Sequence, residues 1–139
     1  MEIENLLTFT DRSQLREWFE RNHLSEKCCW VACNRSNTAK PDTLPYLEIV
    51  EEALCFGWID STLKKLPDGR LAQRLSPRRK GSHWTDLNRL RCHDLERRGL
   101  MTEYGRKALK EIQNEKTSGL LSRDLYEQGT YYSHTPDGL

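Results

Sequence analysis

The chain has 139 residues, 36% of them apolar and 31% charged, with a net charge of +1. Such a length suits one domain, residues 1–139, that buries roughly two-thirds of its unfolded surface, so neither disulfides nor a metal is needed to build a core. No apolar run approaches the roughly 18 residues of a membrane span. The acidic start MEIENLLTFTDRS lacks the basic head and long apolar stretch of a secretory signal.

Charge is unevenly spread. Residues 1–60 hold 6 Lys/Arg against 11 Asp/Glu (−5), residues 61–110 hold 14 against 5 (+9), and residues 111–139 hold 2 against 5 (−3). A basic middle either meets an anionic partner or neutralises the acidic flanks within one fold. The five cysteines are odd in number and sit in apolar surroundings, which predicts reduced thiols and a cytoplasmic location.

In chain order, residues 6–9 predict a short strand. Asp11 then caps a helix, with Gln14 at the capping-box position and Leu15, Trp18 and Phe19 on its buried face. KCCWVACNR (27–35) predicts an interior strand, and SNTAKPDTLP a loop. YLEIVEEALCF predicts a second helix with Tyr46, Ile49, Val50, Ala53 and Leu54 inward. Gly57 stands where a left-handed residue ends a helix, and Trp58 starts a strand. Pro67–Gly69 predicts a tight turn, so residues 58–77 form a β-hairpin. With a three-residue loop Leu66 faces Arg70. This register pairs Thr62 with Arg74 and Asp60 with Ser76, and places Trp58, Asp60, Thr62, Arg74, Ser76 and Arg78 on one face. Asp60 then lies diagonal to Arg74, within reach of an ion pair. Ile59, Leu63, Leu71 and Leu75 make the core face. Thr85 or Ser82 caps a third helix that Gly99 stops. Thr102 caps a fourth with Tyr104, Ala108 and Ile112 inward, and residues 117–139 predict a tail.

The strongest cluster of functional residue types is SPRRKGSHWT, ahead of the third helix. The free N–H groups of a helix start attract anions. Arg78, Arg79, Lys80 and His83 add charge and forked donors. Trp58 and Trp84 offer flat apolar walls, and Asp60 and Asn88 can orient a ligand or accept its proton. Such a mixture suits a small polar ligand. The plainer alternative makes Asp60–Arg74 and Glu52–Arg78 structural ion pairs and assigns the tryptophans to the core. His23, Cys28, Cys29 and Cys33 do not have paired zinc-ligand spacing, since Cys29 and Cys33 share a strand face that Cys28 does not. No phosphate-loop or nucleophile-elbow motif is present. Arg89, Arg91, Arg97 and Arg98 make the third helix basic, a pattern that belongs more often to a solvated face than to a nucleic-acid surface.

YLEIVEEALCFGWIDS together with QRLSPRRKGSHWTDLNRLRCHDLERRGLMTEYG resembles the YdeI/OmpD-associated family, also called bacteriocin-protection proteins. The resemblance runs from about residue 9 to about residue 105. Leu75 stands where that family often has Phe, and Thr85 where it often has Ser. The motif positions it carries over are Glu52, Trp58, Asp60, Arg74, Pro77, Arg78, Arg79, Ser82, Trp84 and Asn88. The resemblance implies a bacterial stress or antimicrobial-peptide-resistance protein and no particular reaction.

The sequence thus predicts an α+β domain with a small, mainly antiparallel sheet and helices packed on one face. Its partner is a small anionic molecule or an acidic protein surface, with no cofactor, metal or membrane span and no preference for nucleic acid. Ligand contacts fall to Glu52, Trp58, Arg74, Ser82, His83, Trp84 and Asn88. In an enzymatic alternative Asp60 is a general base and Arg78 and Arg79 stabilise developing negative charge.

Overall fold

The computed structural model describes residues 2–35, 42–79 and 84–115, with backbone alone over 111–115. Strand β1 (Leu6–Leu7) leads into helix α1 (Arg12–Asn22). The Asp11–Gln14 capping box forms as expected, the Asp11 N–H donating to Gln14 Oε1 at 3.1 Å. Strands β2 (Cys29–Asn34) and β3 (Leu44–Pro45) precede helix α2 (Tyr46–Cys55). The hairpin β4 (Trp58–Lys65) and β5 (Leu71–Pro77) follows, then helices α3 (Asp86–Arg97) and α4 (Glu103–Glu115).

The fold is α+β, with a mixed five-stranded sheet in the order β1-β2-β5-β4 and β3 also on β2. The short strands β1 and β3 run parallel to β2; the β2–β5 and β4–β5 pairs are antiparallel. The helices cover one face. There Cys29, Val31, Cys33, Trp58 and Leu75 meet Leu15 and Phe19 of α1, Ile49, Val50, Ala53 and Leu54 of α2, and Cys92 and Leu95 of α3. A smaller cluster of Trp30, Leu66 and Ala72, with Ile3 against it, lies on the other face. The two-residue β3, which pairs Leu44 with Cys33, falls in what reads from sequence as loop.

The three glycine signals hold. Gly57 (φ 75°) ends α2, its N–H on the Leu54 carbonyl at 3.2 Å. Gly69 (φ 93°) closes the hairpin turn, where Leu66 N–H reaches the Arg70 carbonyl at 2.7 Å. Gly99 (φ 76°) ends α3, and Leu100 N–H returns to the Leu95 carbonyl at 3.0 Å.

The expected hairpin register holds only near the turn. Lys65 pairs with Leu71, Lys64 with Ala72 and Leu63 with Gln73; an irregularity between Asp60 and Leu63 then shifts the pairing by one, so Asp60 faces Leu75 and Ile59 faces Ser76. A one-residue shift turns a side chain to the other face. Asp60 and Trp58 therefore share the helix-covered face with Leu75, while Ile59, Arg74 and Ser76 take the opposite one. Arg74 lies across from Trp30 of β2. The predicted Asp60–Arg74 ion pair is overturned by this shift. At the irregularity sits Gln73, buried at 1% exposure, whose Nε2 donates to the Thr62 carbonyl at 3.2 Å and the Arg74 carbonyl at 3.1 Å.

Between α1, α2 and α3 lies a cluster of ion pairs. Arg12 reaches Glu52 at 2.6 Å and Glu51 at 3.0 Å, Arg16 reaches Glu52 at 3.1 Å, and Arg98 bonds both Glu51 and Asp94 at 3.0 Å. Burial alone would weaken Arg12's hold on its proton; the two carboxylates more than reverse that. Glu52 is thus a structural anchor for Arg12 and Arg16, in place of the expected ligand contact or Arg78 partner.

Helix α4 docks on the end of α2, where the Thr102 N–H and hydroxyl both donate to the Cys55 carbonyl. Tyr104 is more exposed than its spacing predicts, although its ring lies 4.2 Å from that of His23. Gly105 makes the close approach possible. A Cβ there would stand 2.5 Å from the Leu54 carbonyl oxygen and 2.7 Å from that of Cys55. Gly105→Ala gains about 1 kcal/mol of helix propensity, yet it forces two backbones apart. A net loss of about 1–3 kcal/mol is expected, read from the urea midpoint; an unchanged or raised midpoint would show that α4 is not seated this way.

Candidate functional site

The shift in β4 brings Asp60 beneath the start of α2. Tyr46, the first residue of that helix, donates its hydroxyl to Asp60 Oδ2 at 2.7 Å. Burial, then the bond to Asp60 and its charge, push the Tyr46 phenol up to about 12, with Arg91 pulling the other way. Tyr46 therefore stays protonated near neutral pH and acts as a donor. A cavity of about 410 Å³ opens beside this pair, lined by Arg35, Tyr46, Asp60, Ser61, Leu63 and Gln73.

Arg78 follows β5, its N–H held by the Gly57 carbonyl at 3.1 Å. Its guanidinium lies 3.6 Å from the centroid of a Trp84 ring. Burial lowers its pKa to about 10, with Cys92 and Asp60 working in the opposite direction. Trp84 is itself buried within the main core. Thr85, one of the two expected caps, starts α3 by accepting the Asn88 N–H at 3.1 Å. The Asn88 side chain accepts from Arg91 Nη1 at 3.1 Å, and Arg91 acts electrostatically on Tyr46. The charges of Arg78, stacked on Trp84, and of Arg91, bonded to Asn88, therefore act on the Tyr46–Asp60 pair.

Of the residues picked out from sequence, Asp60 lines the cavity, Arg78 acts on it electrostatically and stacks on Trp84, and Asn88 bonds Arg91. Trp58 is on the same sheet face but wholly within the core, its ring 5.7 Å from Trp18 and 5.1 Å from Phe19. Arg74 is on the opposite face, Glu52 is in the three-helix ion cluster, and Arg79 is exposed. Lys80, Gly81, Ser82 and His83 lie outside the described residues. Sequence reasoning missed Arg35, Ser61, Gln73 and Arg91 as neighbours of the site, read Leu63 only as core, and took Tyr46 for a purely apolar helix position. Gln73 did carry a signal: in L-A-Q-R-L it is the polar residue at the inward alternate between Leu71 and Leu75.

The basic face of α3 is largely used within the protein. Arg89 is buried, Arg91 bonds Asn88, and Arg98 bonds Glu51 and Asp94, while Arg97 is exposed. Among the described residues no helix is long and apolar enough to cross a membrane, and no group of three His, Cys, Asp or Glu is arranged to hold a metal ion.

Fold and site together define an α+β domain with a polar cavity at the edge strand of a mixed sheet. The chain belongs to the DUF8412 family, a domain of unknown function, whose family model matches residues 7–108. No curated protein and no solved structure matches.

Two predictions follow from this geometry. Gln73→Met keeps the length of the side chain but leaves the Thr62 and Arg74 carbonyls without its amide. A loss of about 1–3 kcal/mol is expected, with faster hydrogen exchange concentrated in β4; uniform exchange at unchanged stability would mean that Gln73 does not hold the irregularity. All five thiols are free. Burial pushes Cys33 up to about 11 and Cys55 and Cys92 to about 12, and raises Cys29 as well. At pH 8 a thiol-disulfide reagent should therefore titrate Cys28, the partly exposed one, in the folded protein and all five after denaturation. Rapid reaction of several thiols in the native state would contradict this packing.

Proposed function

We propose that the domain binds a small anionic molecule at the Asp60 cavity. The observation that carries this reading is the guanidinium of Arg35 lining the cavity of the Tyr46–Asp60 pair. Arg35 lines the cavity with Asp60, Arg78 acts on Asp60, and Arg91 acts on its partner Tyr46. The forked donors of Arg35 suit carboxylate or phosphate oxygens. The Arg35 guanidinium lines a cavity, which favours a small ligand over an acidic protein surface or nucleic acid. The resemblance to the YdeI/OmpD-associated family supports a role in stress or antimicrobial-peptide resistance. Five free cysteines support a cytoplasmic setting.

A second reading makes the domain an enzyme with Asp60 as general base and Arg78 and Arg79 as anion stabilisers. The Tyr46–Asp60 bond favours it, because it holds the carboxylate in one orientation beside the cavity.

The test uses phosphate and sulfate at matched ionic strength. Ligand at 100 times its dissociation constant adds roughly 2.7 kcal/mol to stability. Arg78→Gln and Arg91→Gln should each reduce that increment, and Arg97→Ala, at the far end of α3, should retain it. An equal increment in all three variants would mean general screening, and the anion site would be abandoned. Turnover of a phosphate or carboxylate ester that is lost in Asp60→Asn, with little change in melting temperature, would favour the enzyme.

A further inference from the structure

The acceptors around the cavity say more about the ligand than its charge does. Asp60 Oδ2 is occupied by the Tyr46 hydroxyl, which leaves Oδ1 to accept from whatever enters. Gln73 spends its amide nitrogen on two backbone carbonyls, so Oε1 is the hydrogen-bonding atom it has left for the cavity it lines. The Tyr46 oxygen donates to Asp60 and keeps its own lone pairs as acceptors. Three acceptors, one of them a carboxylate, make a part of the cavity that an anionic group leaves unfilled, because Asp60 repels it. They suit a group with several N–H donors and positive charge, and a primary ammonium has three donors. Arg35 lines the same cavity and supplies the fork for a carboxylate or phosphate. Leu63 provides an apolar contact between these polar groups.

We propose that the ligand is a zwitterion, its ammonium group held by Asp60 with Gln73 and Tyr46, and its acid group by Arg35. The proposal rests on the anion-binding reading and adds the cationic half of the ligand to it. A volume of about 410 Å³ lies at the small end of the roughly 300–1,000 Å³ typical of ligand pockets. It suits a free α-amino acid or a dipeptide, and both present the same two groups.

The experiment is calorimetric titration at fixed ionic strength. The probes are the common L-α-amino acids and a set of dipeptides ending in L-alanine, which separates the two sources. The tightest probe is then compared with its N-acetyl and C-terminal amide forms. At least one zwitterion should saturate the protein, with each blocked form binding at least tenfold more weakly. Asp60→Asn, nearly isosteric and verified as folded by its melting curve, should weaken that zwitterion at least tenfold. The same variant should leave inorganic phosphate bound as well as before or more tightly. Arg35→Gln should weaken the zwitterion as well. If phosphate stabilises the protein through Arg78 but no zwitterion saturates it, or the N-acetyl form binds equally well, the zwitterion is overturned and the anion site stands. If neither phosphate nor any zwitterion binds, both fall. Equal weakening of phosphate and zwitterion by Asp60→Asn would overturn the assignment of the ammonium to Asp60.

Discussion

The bond from one buried amide to two strand carbonyls decides the chemistry of this domain. A regular β4–β5 ladder would point Asp60 at the outer face of the sheet, beside Arg74. With Gln73 Nε2 bonded to the Thr62 and Arg74 carbonyls, the ladder tolerates a slip of one residue between Leu63 and Asp60. Buried backbone carbonyls need partners, and a side chain that supplies them stabilises an irregular strand as a ladder stabilises a regular one. Asp60 is thereby turned inward to Tyr46, and the cavity with its neighbouring arginines follows.

The helices that roof the site are held by different means. Glu51, Glu52 and Asp94 are nearly excluded from water and each meets at least one arginine. Removing one partner of such a pair typically costs about 3–5 kcal/mol, although a well-packed apolar replacement of the whole cluster can be neutral. The arrangement also accounts for part of the uneven charge along the chain. Arg98, from the basic middle, neutralises Glu51, from the acidic first segment. Arg35, just after β2, instead lines the cavity beside Asp60.

What the sequence made legible was local. The Asp11 box, the three left-handed glycines and the Leu66–Arg70 turn each depend on a few neighbouring residues, and each forms. The sheet with helices on one face was legible because strand alternation and helix periodicity identify buried sides without knowledge of partners. Asp60 was recognised as a functional residue type and lines the cavity, but the Arg74 ion pair expected of it does not form. Counting register from the turn works as far as Leu63 and then fails, because a side chain sets the next step. Glu52 was misread for a related reason. It was assigned to a ligand or to Arg78, and the arginine that bonds it is 40 residues distant in the chain.

The bond that turns Asp60 inward spans only 11 residues, within a hairpin closed by a three-residue loop. Hairpins of this kind form in roughly 1–10 μs, long before contacts between distant segments are complete. The β2–β5 ladder joins segments some 40 residues apart, Cys33 to Leu71 among them, and must wait for that longer loop to close. The orientation of the site carboxylate is therefore set by contacts local in sequence, and the longer-range ladder is built upon them.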